Sequence, residues 1–538
     1  MRKSITTTLL LFLCLAAWAV PAKRVTRVLT LTDGTQVKAT FTGDENFHYW
    51  LAEDGTRYVE QTDSTFIALS TEEGEARAQR ARQRVQQKNS RRSQRRRAGS
   101  AMTGEKRGIV ILVNFRDKKM THSRDDFERA FNEPAYSNNG STGSVRDYFL
   151  QQSYGRLTVD FDVVGPYTLK NNMAYYGGNK SNGDDKHPGE MVVEAVKAAD
   201  PHVNFADYDW DGDGWVDQVY VIYAGYGEAQ SYIKNTVWPH EWQLDAANYY
   251  GDGDGKQHLD GVWVDTYACS NELTGKSGTQ MDGIGTACHE FSHCLGLPDM
   301  YDTEGDNYGM GAWDLMDYGS YNGDGYVPAA FTSYERWFSG WLTPVEISGF
   351  KEVKDMKALT SAPEAYIIYN QNNRNEYYLL ENRQQTGFDS ELPATGLLVL
   401  HVDYDEDTWY NNEVNNTSGH ERMTVVPADN KRSEYNEEGD TWPQAGKTEL
   451  TNTSSPAAKL FNVNTDGKKY LNMPLRDIKQ ANGLISFTAG DRPTGIGSIF
   501  EKSEGAATQS FFDLQGRRIG KGHKGVMIVN GKKIVNGR

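Results

Sequence analysis

The sequence predicts a multidomain protein in which an α/β (α+β) domain is followed by a β-sandwich-like domain and a short C-terminal β-domain. Its 538 residues are too many for one hydrophobic core, because domains usually contain about 100–200 residues. Hydrophobic residues make up 38% of the chain and charged residues 24%, a balance that is typical of folded proteins. The hydrophobic pattern also changes along the chain, and these changes predict the domain boundaries.

The first 19 residues have the features of a secretory signal peptide. Two basic residues precede an apolar run over 9–20, and Ala17 and Ala19 fit a small-x-small cleavage pattern. The run is too short for a helix that spans a membrane, which needs about 20 residues, so a membrane anchor is the less favoured alternative. We therefore expect a secreted or cell-surface protein that is soluble once residues 1–19 are removed.

Residues 20–100 are predicted to form a propeptide that ends in a basic processing linker. Residues 23–75 alternate apolar and polar positions and contain Asp-Gly turns, which predicts a small β-rich unit. From Arg77 to Arg97 every charged residue is basic, as in a solvated segment. In a secreted protein this segment is a suitable site for a trypsin-like activating protease. A basic surface arm is the alternative.

The segment 101–345 is expected to be the α/β or α+β unit. Residues 108–115 and 219–223 are continuous apolar runs, as in buried strands. Residues 144–152 and 189–199 have apolar positions at helical spacing. Strands that alternate with helices in this way predict a sheet covered by helices.

Two β-rich segments follow. Residues 346–490 read as strands with turns and few helices, most clearly at 377–381 and 396–402, and predict a β-sandwich. Residues 495–538 contain short strands separated by turns and predict a small separate β-domain.

The net charge argues against one class of partner. The chain carries 57 Lys and Arg against 73 Asp and Glu, which gives a formal net charge of −16 at pH 7. A nucleic-acid-binding protein usually has a basic footprint, so we expect no nucleic-acid partner.

The cysteines predict no disulfide framework. Cys14 is removed with the signal peptide, which leaves Cys269, Cys288 and Cys294. An odd number leaves at least one thiol outside any intramolecular disulfide. Cys288 and Cys294 flank the histidines described next, and we expect them to be buried thiols and not metal ligands.

Residues 284–295 carry a metal-binding pattern on a predicted helix. One face of this helix is apolar and is expected to lie against the core: Ile284, Ala287, Cys288, Phe291 and Leu295. His289 and His293 are four residues apart, so both imidazoles project from another face and can bind one Zn²⁺. Glu290 follows the first histidine, where it can act as the general base for a water that the zinc activates.

The residues after this helix suggest the third ligand. Gly296 comes three residues after the second histidine, where a helix can end in a sharp turn, and Pro298 stiffens the exit. Asp299 then arrives six residues after that histidine. The order His-Glu-x-x-His-x-x-Gly-x-x-Asp predicts three protein ligands and one open position. Glu304 and Glu335 are the alternatives to Asp299.

Residues 289–302 resemble the signature of the immune inhibitor A family of secreted metallopeptidases. That family is metzincin-like, with Asp in place of the usual third His, which implies zinc ligation by Asp299. The resemblance extends through 313–319, which implies that Met316 forms a Met-turn under the metal. It also implies that Tyr318 helps to stabilise the oxyanion, although plain packing is the alternative for both side chains. Four further stretches resemble the same family: 207–217, 238–241, 377–383 and 397–403. The resemblance therefore spans most of 106–490.

An acidic loop suggests a second metal site. Asp209, Asp211 and Asp213 alternate, Gly214 stands at the sixth loop position and Asp217 at the ninth. This is the first half of a calcium-binding loop, but the twelfth position lacks the bidentate Glu. A structural Ca²⁺ is expected, with an acidic turn that caps a strand as the alternative.

The C-terminal segments 512–518 and 525–533 resemble the sorting domains of the type IX secretion route. The resemblance implies an outer-membrane secretion machinery as a partner. A small structural β-appendage is the alternative.

Latency of the precursor needs a group other than a thiol. No cysteine lies between residue 20 and the end of the predicted propeptide, so a propeptide thiolate cannot block the zinc. His48 or Asp44 is the hypothetical blocking group.

The favoured function is a secreted zinc metalloendopeptidase that acts on proteins or peptides. Its alternatives are a catalytically inactive adhesin or glycan-binding surface protein on a peptidase scaffold, and a zinc amidase that acts on cell-wall peptides. An inactive scaffold usually lacks the base or a ligand, whereas His289, Glu290 and His293 are all present.

Overall fold

The computed structural model describes most of the chain. The described residues are 18–19, 21–44, 47–61, 64–88, 102–180, 183–303, 307–433, 436–492, 511–512, 517–520, 524–529 and 532–536. Residues 1–17 of the predicted signal peptide, residues 89–101 of the predicted linker and Glu304 lie outside them. None of the described helices is long and apolar enough to cross a membrane.

The strands are β1 Trp18–Ala19, β2 Thr26–Thr30, β3 Gln36–Gly43, β4 His48–Ala52, β5 Arg57–Glu60, β6 Phe66–Ala68, β7 Gly104–Asn114, β8 Leu157–Thr168, β9 Val219–Tyr226, β10 His240–Gln243, β11 Gln257–Leu259, β12 Val262–Val264, β13 Thr266–Leu273, β14 Val345–Glu346, β15 Lys351–Met356, β16 Ala365–Asn370, β17 Asn373–Arg383, β18 Gly396–Asp403, β19 Met423–Val425, β20 Leu475–Ala481, β21 Leu484–Ala489, β22 Phe511–Phe512, β23 Arg518–Ile519, β24 Gly525–Val529 and β25 Lys532–Asn536. The α-helices are Thr71–Lys88, Arg124–Asn132, Val145–Gln152, Met173–Gly177, Pro188–Ala199, Glu228–Ser231, Leu244–Tyr249, Gly285–Cys294, Ser333–Phe338 and Glu406–Tyr410.

A six-stranded mixed sheet forms the centre of the segment 101–345. Its strand order is β1-β10-β13-β9-β7-β8, in which β8, β7, β9 and β13 are parallel. Strand β10 is antiparallel to β13, and β1 pairs antiparallel with β10 at the edge of the sheet. Alternate residues of β7 enter two different hydrophobic clusters, with Val110 in one and Ile111 in the other. Both faces of the sheet are therefore covered, as parallel strands require.

The helices predicted at 144–152 and 189–199 are confirmed as Val145–Gln152 and Pro188–Ala199. Pro188–Ala199 packs on the Ile111 face of the sheet. The helix Gly285–Cys294 packs on the opposite face, and the apolar residues that were expected to meet the core do so. The mixed α/β organisation of this segment is as predicted.

The segment 346–490 contains a five-stranded sheet, β14-β16-β17-β18-β19, and a three-stranded sheet, β15-β21-β20. Tyr378 and Leu380 of β17 share a hydrophobic cluster with Phe487 of the smaller sheet. The alternate residues Tyr377 and Leu379 belong to the cluster that also holds the helix Gly285–Cys294. The larger sheet is thus buried on both faces and packs directly on the α/β domain.

The N-terminal β-rich unit also contacts the α/β domain. Strands β2 to β6 form a sheet in chain order, and Phe41 and Trp50 share a cluster with Trp238. The two residues of β1, which end the predicted signal peptide, pair with β10, where Ala19 lies opposite His240. In the C-terminal region, the described strands form a sheet of order β23-β22-β24-β25.

Candidate metal centre

The helix Gly285–Cys294 presents two histidines to one point. The imidazole rings of His289 and His293 have centroids 4.8 Å apart. Nδ1 of His289 lies 2.9 Å from the carbonyl oxygen of Leu315, and Nδ1 of His293 lies 2.9 Å from that of Leu297. Because a carbonyl oxygen only accepts, each Nδ1 carries the proton and each Nε2 presents a lone pair. Such bonds fix the orientation of metal-binding imidazoles.

The chain turns back after the helix and brings a carboxylate to the same point. Gly296 has φ +89°, in the left-handed region that glycine adopts readily, and its N–H donates to the carbonyl of His293. Asp299 Oδ1 lies 3.1 Å from His289 Nε2 and 3.7 Å from His293 Nε2. The three residues have no exposed surface, and their ligand atoms lie within 4.8 Å of one another. The structure therefore brings together the three residues predicted as zinc ligands.

This donor set fits Zn²⁺. Two imidazole nitrogens and one carboxylate oxygen are borderline and hard donors of the kind that hold catalytic zinc with three protein ligands and one open position. The burial of all three side chains also matches a metal site, because an anion with two imidazoles in the core needs a compensating charge.

Glu290 lies on the same helix, between the two histidines in sequence, and is completely buried. Its charge acts on Tyr321: burial raises the pKa of Tyr321 well above its ordinary value, and Asp282, Tyr318 and Glu290 add to this rise. The sequence reasoning did not select Tyr321, since a tyrosine in a Gly-rich turn has no pattern that distinguishes it.

The segment around Met316 is hydrogen-bonded to the residues that carry the proposed ligands. Met316 is completely buried, and its N–H donates to Asp314 Oδ1 over 2.7 Å. Its carbonyl accepts the N–H of Met300, the residue after Asp299, over 2.8 Å. Since the carbonyl of Leu315 binds His289, this turn contacts both the helix and the third-ligand loop.

Tyr318 is half-buried, and its ring is covered by a residue of the predicted propeptide. The guanidinium carbon of Arg24 lies 3.9 Å from the centre of the Tyr318 ring. Close by, the hydroxyl of Tyr321 donates to the carbonyl of Pro21 over 2.8 Å. The first described residues of the propeptide thus pass over the turn that carries Tyr318.

The other residues proposed as metal-binding lie elsewhere. Glu335 caps the helix Ser333–Phe338 by accepting the N–H of Thr332, so it is not part of the ligand group. The ring of His48 stacks on Trp238 at 4.5 Å, and its Nε2 lies 3.8 Å from Glu228.

Asp44 does not approach the ligands either. Its Oδ1 accepts the N–H of Phe47 over 3.0 Å, within its own turn. Neither Asp44 nor His48 joins the three ligands, so the expectation that one of them blocks the metal is not met.

The acidic loop brings together three of its four predicted calcium ligands. Asp209, Asp211 and Asp213 have carboxylate oxygens within 4.8 Å of one another. Asp209 also accepts the N–H of Gly214 over 2.8 Å, as an acidic turn would. Asp217 Oδ2 accepts the N–H of Trp210 over 2.6 Å.

The three cysteines in the described part of the chain are buried and form no disulfide with one another. Burial raises the pKa of the Cys288 thiol well above its ordinary value. A protonated thiol is a poor ligand, which agrees with the expectation that Cys288 does not bind the metal.

One neighbour of the metal centre was not anticipated. Asn412, between the helix Glu406–Tyr410 and β19, hydrogen-bonds to both the backbone and the carboxylate of Asp299. The two residues are 113 positions apart, and no local pattern marks Asn412.

Comparison with known proteins agrees with this geometry. Residues 97–342 match the family model described as the catalytic domain of immune inhibitor A peptidase M6. The pre-pro-metalloprotease PrtV of Vibrio cholerae serotype O1 is 28% identical over 272 residues, which cover 43% of this chain and 29% of PrtV. Immune inhibitor A of Bacillus thuringiensis subsp. alesti is 26% identical over 287 residues, which cover 44% of this chain and 41% of the relative. A putative secreted metallopeptidase of Arthroderma benhamiae is 25% identical over 224 residues, which cover 37% and 32% of the two chains.

The chain spans less than half the length of each of these relatives. The matched region contains all the residues of the metal centre except Asn412. Together, the family match and the relatives support a metallopeptidase domain in residues 97–342, which is similar to the catalytic domain of immune inhibitor A peptidases.

Proposed function

We propose that this chain is a secreted zinc-dependent endopeptidase that hydrolyses peptide bonds in proteins, with Glu290 as its general base. The observation that carries the proposal is the convergence of His289, His293 and Asp299, in a segment that matches a metallopeptidase family and with Glu290 directly after the first histidine on the same helix. The names of the relatives describe proteases, which favours protein or peptide substrates.

Each residue of the centre has a defined task in this proposal. His289, His293 and Asp299 hold the metal. When bound, Zn²⁺ polarises the scissile carbonyl and lowers the pKa of a water to about 7. Glu290 takes the proton from the attacking water and delivers it to the leaving amine. Tyr318 donates a hydrogen bond to the oxygen that becomes negatively charged.

The two alternative functions are distinguished by different features. The adhesin or glycan-binding scaffold is not favoured, because Glu290 is present and the potential ligand atoms of His289, His293 and Asp299 lie within 4.8 Å of one another. A zinc amidase would use the same chemistry, so only its substrate separates it from an endopeptidase.

The N-terminal unit is proposed to keep the precursor inactive. Arg24 covers the ring of Tyr318, and the carbonyl of Pro21 accepts from Tyr321, so the unit lies over the proposed oxyanion side of the centre. Cleavage in the basic linker by a trypsin-like protease would then release activity. A precursor that is as active as the cleaved protein would contradict this part of the proposal.

Two further proposals concern the rest of the chain. Asp209, Asp211, Asp213 and Asp217 are proposed to hold a structural Ca²⁺, so that Ca²⁺ should raise the melting temperature of the wild type but not of Asp211→Asn. The segment 495–538 is proposed to be a sorting domain for an outer-membrane secretion machinery. Export that is unchanged after deletion of this segment would contradict the second proposal.

The decisive experiment compares the processed wild type with Glu290→Gln in azocasein hydrolysis, with and without a zinc chelator. We expect activity to disappear on chelation and in the variant. The variant should keep its zinc content and melting temperature, because Gln has the shape of Glu and the ligands are unchanged. A fully active Glu290→Gln variant, or a folded and zinc-loaded wild type without activity, would refute the endopeptidase proposal. Peptidoglycan fragments as a second substrate then test for an amidase.

A further inference from the structure

We propose that Asn412, a residue of the β-rich segment 346–490, is a positioning residue that holds Asp299 in the orientation needed to bind the metal. This inference rests on the proposed function, because it takes Asp299 as a ligand. It adds a residue that lies outside the matched region 97–342.

Asn412 makes two hydrogen bonds to Asp299, one to its backbone and one to its carboxylate. Asn412 Oδ1 accepts the backbone N–H of Asp299 over 2.7 Å, and Asn412 Nδ2 donates to Asp299 Oδ2 over 2.6 Å. With Oδ2 engaged in this way, Oδ1 is the carboxylate oxygen that points to His289 Nε2 and His293 Nε2. The carboxylate therefore presents one defined oxygen to the metal position.

The chemistry of the contact requires an amide. One side chain must accept from an N–H and donate to a carboxylate at the same time, and an amide offers an acceptor and a donor at a fixed separation. Asn412 is 1% exposed, so water does not compete for these bonds. Hydrogen bonds to a charged group are about twice as strong as neutral ones.

The backbone of Asn412 is adapted to this position. Its φ is +53°, in the left-handed region that Asn tolerates better than most residues. Its N–H donates to the carbonyl of Trp409, which ties it to the end of the helix Glu406–Tyr410. The backbone that carries the side-chain amide of Asn412 is thus held in place by its own segment of the chain.

Two neighbours extend the contact into a clasp, which we define as Asn412, Asn415 and Asn416. Asn415 Nδ2 donates to the carbonyl of Met300 over 2.6 Å. Asn416 Nδ2 donates to Thr303 Oγ1 over 2.8 Å, and Asn416 Oδ1 accepts the N–H of Thr303 over 3.1 Å. The clasp therefore holds Asp299, Met300 and Thr303, which follow the metal-binding helix.

Within the clasp, only Asn412 contacts the ligand, and this provides a matched comparison. Asn412 and Asn416 make the same pair of contacts, one to a backbone N–H and one to a side-chain oxygen, at residues 299 and 303. If Asn412 served only to join the two domains, Asn416 would be equivalent to it. If Asn412 positions the ligand, its loss should weaken the metal site and the loss of Asn416 should not.

The test uses the processed protein with Asn412→Gly, Asn412→Ser and Asn416→Ser. Glycine removes the side chain without strain at φ +53°, while serine is too short to bridge both atoms of Asp299 and keeps a polar group if the glycine variant folds poorly. Zinc affinity is measured by competition with a chromophoric chelator, and the visible spectrum of the Co²⁺-substituted protein reports the ligand geometry. Melting temperatures of the metal-free forms report folding.

We expect Asn412→Gly and Asn412→Ser to bind zinc about 10–100-fold more weakly than the wild type, as is usual for the loss of a partner of a metal ligand, and to show an altered Co²⁺ spectrum. Asn416→Ser should keep the zinc affinity and the spectrum of the wild type. Equal zinc affinity in the wild type and both Asn412 variants would overturn the inference while leaving the proposed function intact. Equal losses in Asn412→Ser and Asn416→Ser would also overturn it. A folded wild type that binds no zinc would instead overturn the proposed function itself.

Discussion

Replacement of Arg383 by methionine tests how the α/β domain and the β-rich segment are joined. Arg383 ends β17 and is completely buried. Its guanidinium donates to both carboxylate oxygens of Asp389 over 2.9 and 2.7 Å and to Glu381 over 3.0 Å. It also donates to the carbonyls of Trp313 and Ala330 over 3.1 and 3.0 Å. The last two acceptors belong to the α/β domain, so one side chain connects the domains.

The expected loss of stability follows from burial. Burial alone would lower the pKa of Arg383, but the carboxylates of Asp389 and Glu381 raise it above the ordinary value, so the side chain stays charged. Methionine keeps much of the apolar stem and removes only the charge and its donors. Removing one partner of a buried ion pair leaves the other charge uncompensated, which costs about 3–5 kcal/mol. We expect Arg383→Met to be destabilised by this amount at pH 7.

The same strand provides the matched control. Arg374, near the start of β17, also binds a carboxylate through two bonds, to Glu346 over 3.0 and 2.8 Å. Its side chain is 53% exposed, and exposed ion pairs contribute less than about 1 kcal/mol. Urea unfolding of the zinc-loaded protein, followed by tryptophan fluorescence, measures both variants. If Arg383→Met loses no more stability than Arg374→Met, the argument from burial is refuted.

Two further predictions concern the metal and the precursor. Zinc binding should stabilise the folded protein by about 2.7 kcal/mol when free zinc is 100 times its dissociation constant, because the unfolded chain lacks the site. A chelator should therefore lower the melting temperature of the wild type but not that of Asp299→Ala. Burial raises the pKa of Glu228 from 4.5 to about 8, so the folded precursor keeps a proton that the unfolded chain loses. As the pH rises from about 4.5 to about 8, the precursor should therefore lose stability relative to Glu228→Gln, as melting temperatures of the two proteins across this range would show. Equal slopes would contradict the raised pKa.

Those parts of the structure that depend on residues close together in the sequence could be predicted from the sequence. The helical spacing of His289 and His293 and the turn at Gly296 fix where the ligands point, and both depend on a few consecutive residues. The apolar run at 108–115 likewise predicted β7, although the strand begins four residues earlier, at Gly104. The stretch 377–381 was predicted as a strand and forms part of β17, but the prediction did not include that both faces of this strand are buried.

Contacts between distant segments could not be predicted. Arg24 contacts Tyr318, about 300 positions along the chain, and Asn412 contacts Asp299, 113 positions away. Neither Arg24 nor Asn412 has a local sequence pattern that marks it as a contact residue. His48 was selected because it is a metal-binding residue type in the propeptide. Its ring packs on Trp238 instead, since an aromatic surface was available where the two sheets meet.

The domain junction and the metal centre are connected through the turn 313–316, and this connection has a consequence for function. Arg383 binds the carbonyl of Trp313, two residues before Leu315, whose carbonyl orients His289. Met316 then binds the loop that follows Asp299. A change at Arg383 therefore acts on both sides of the metal site, through the histidine and through the carboxylate. Zinc affinity should accordingly fall together with stability in Arg383→Met, while Arg374→Met, which has no such path to the centre, should leave zinc affinity unchanged.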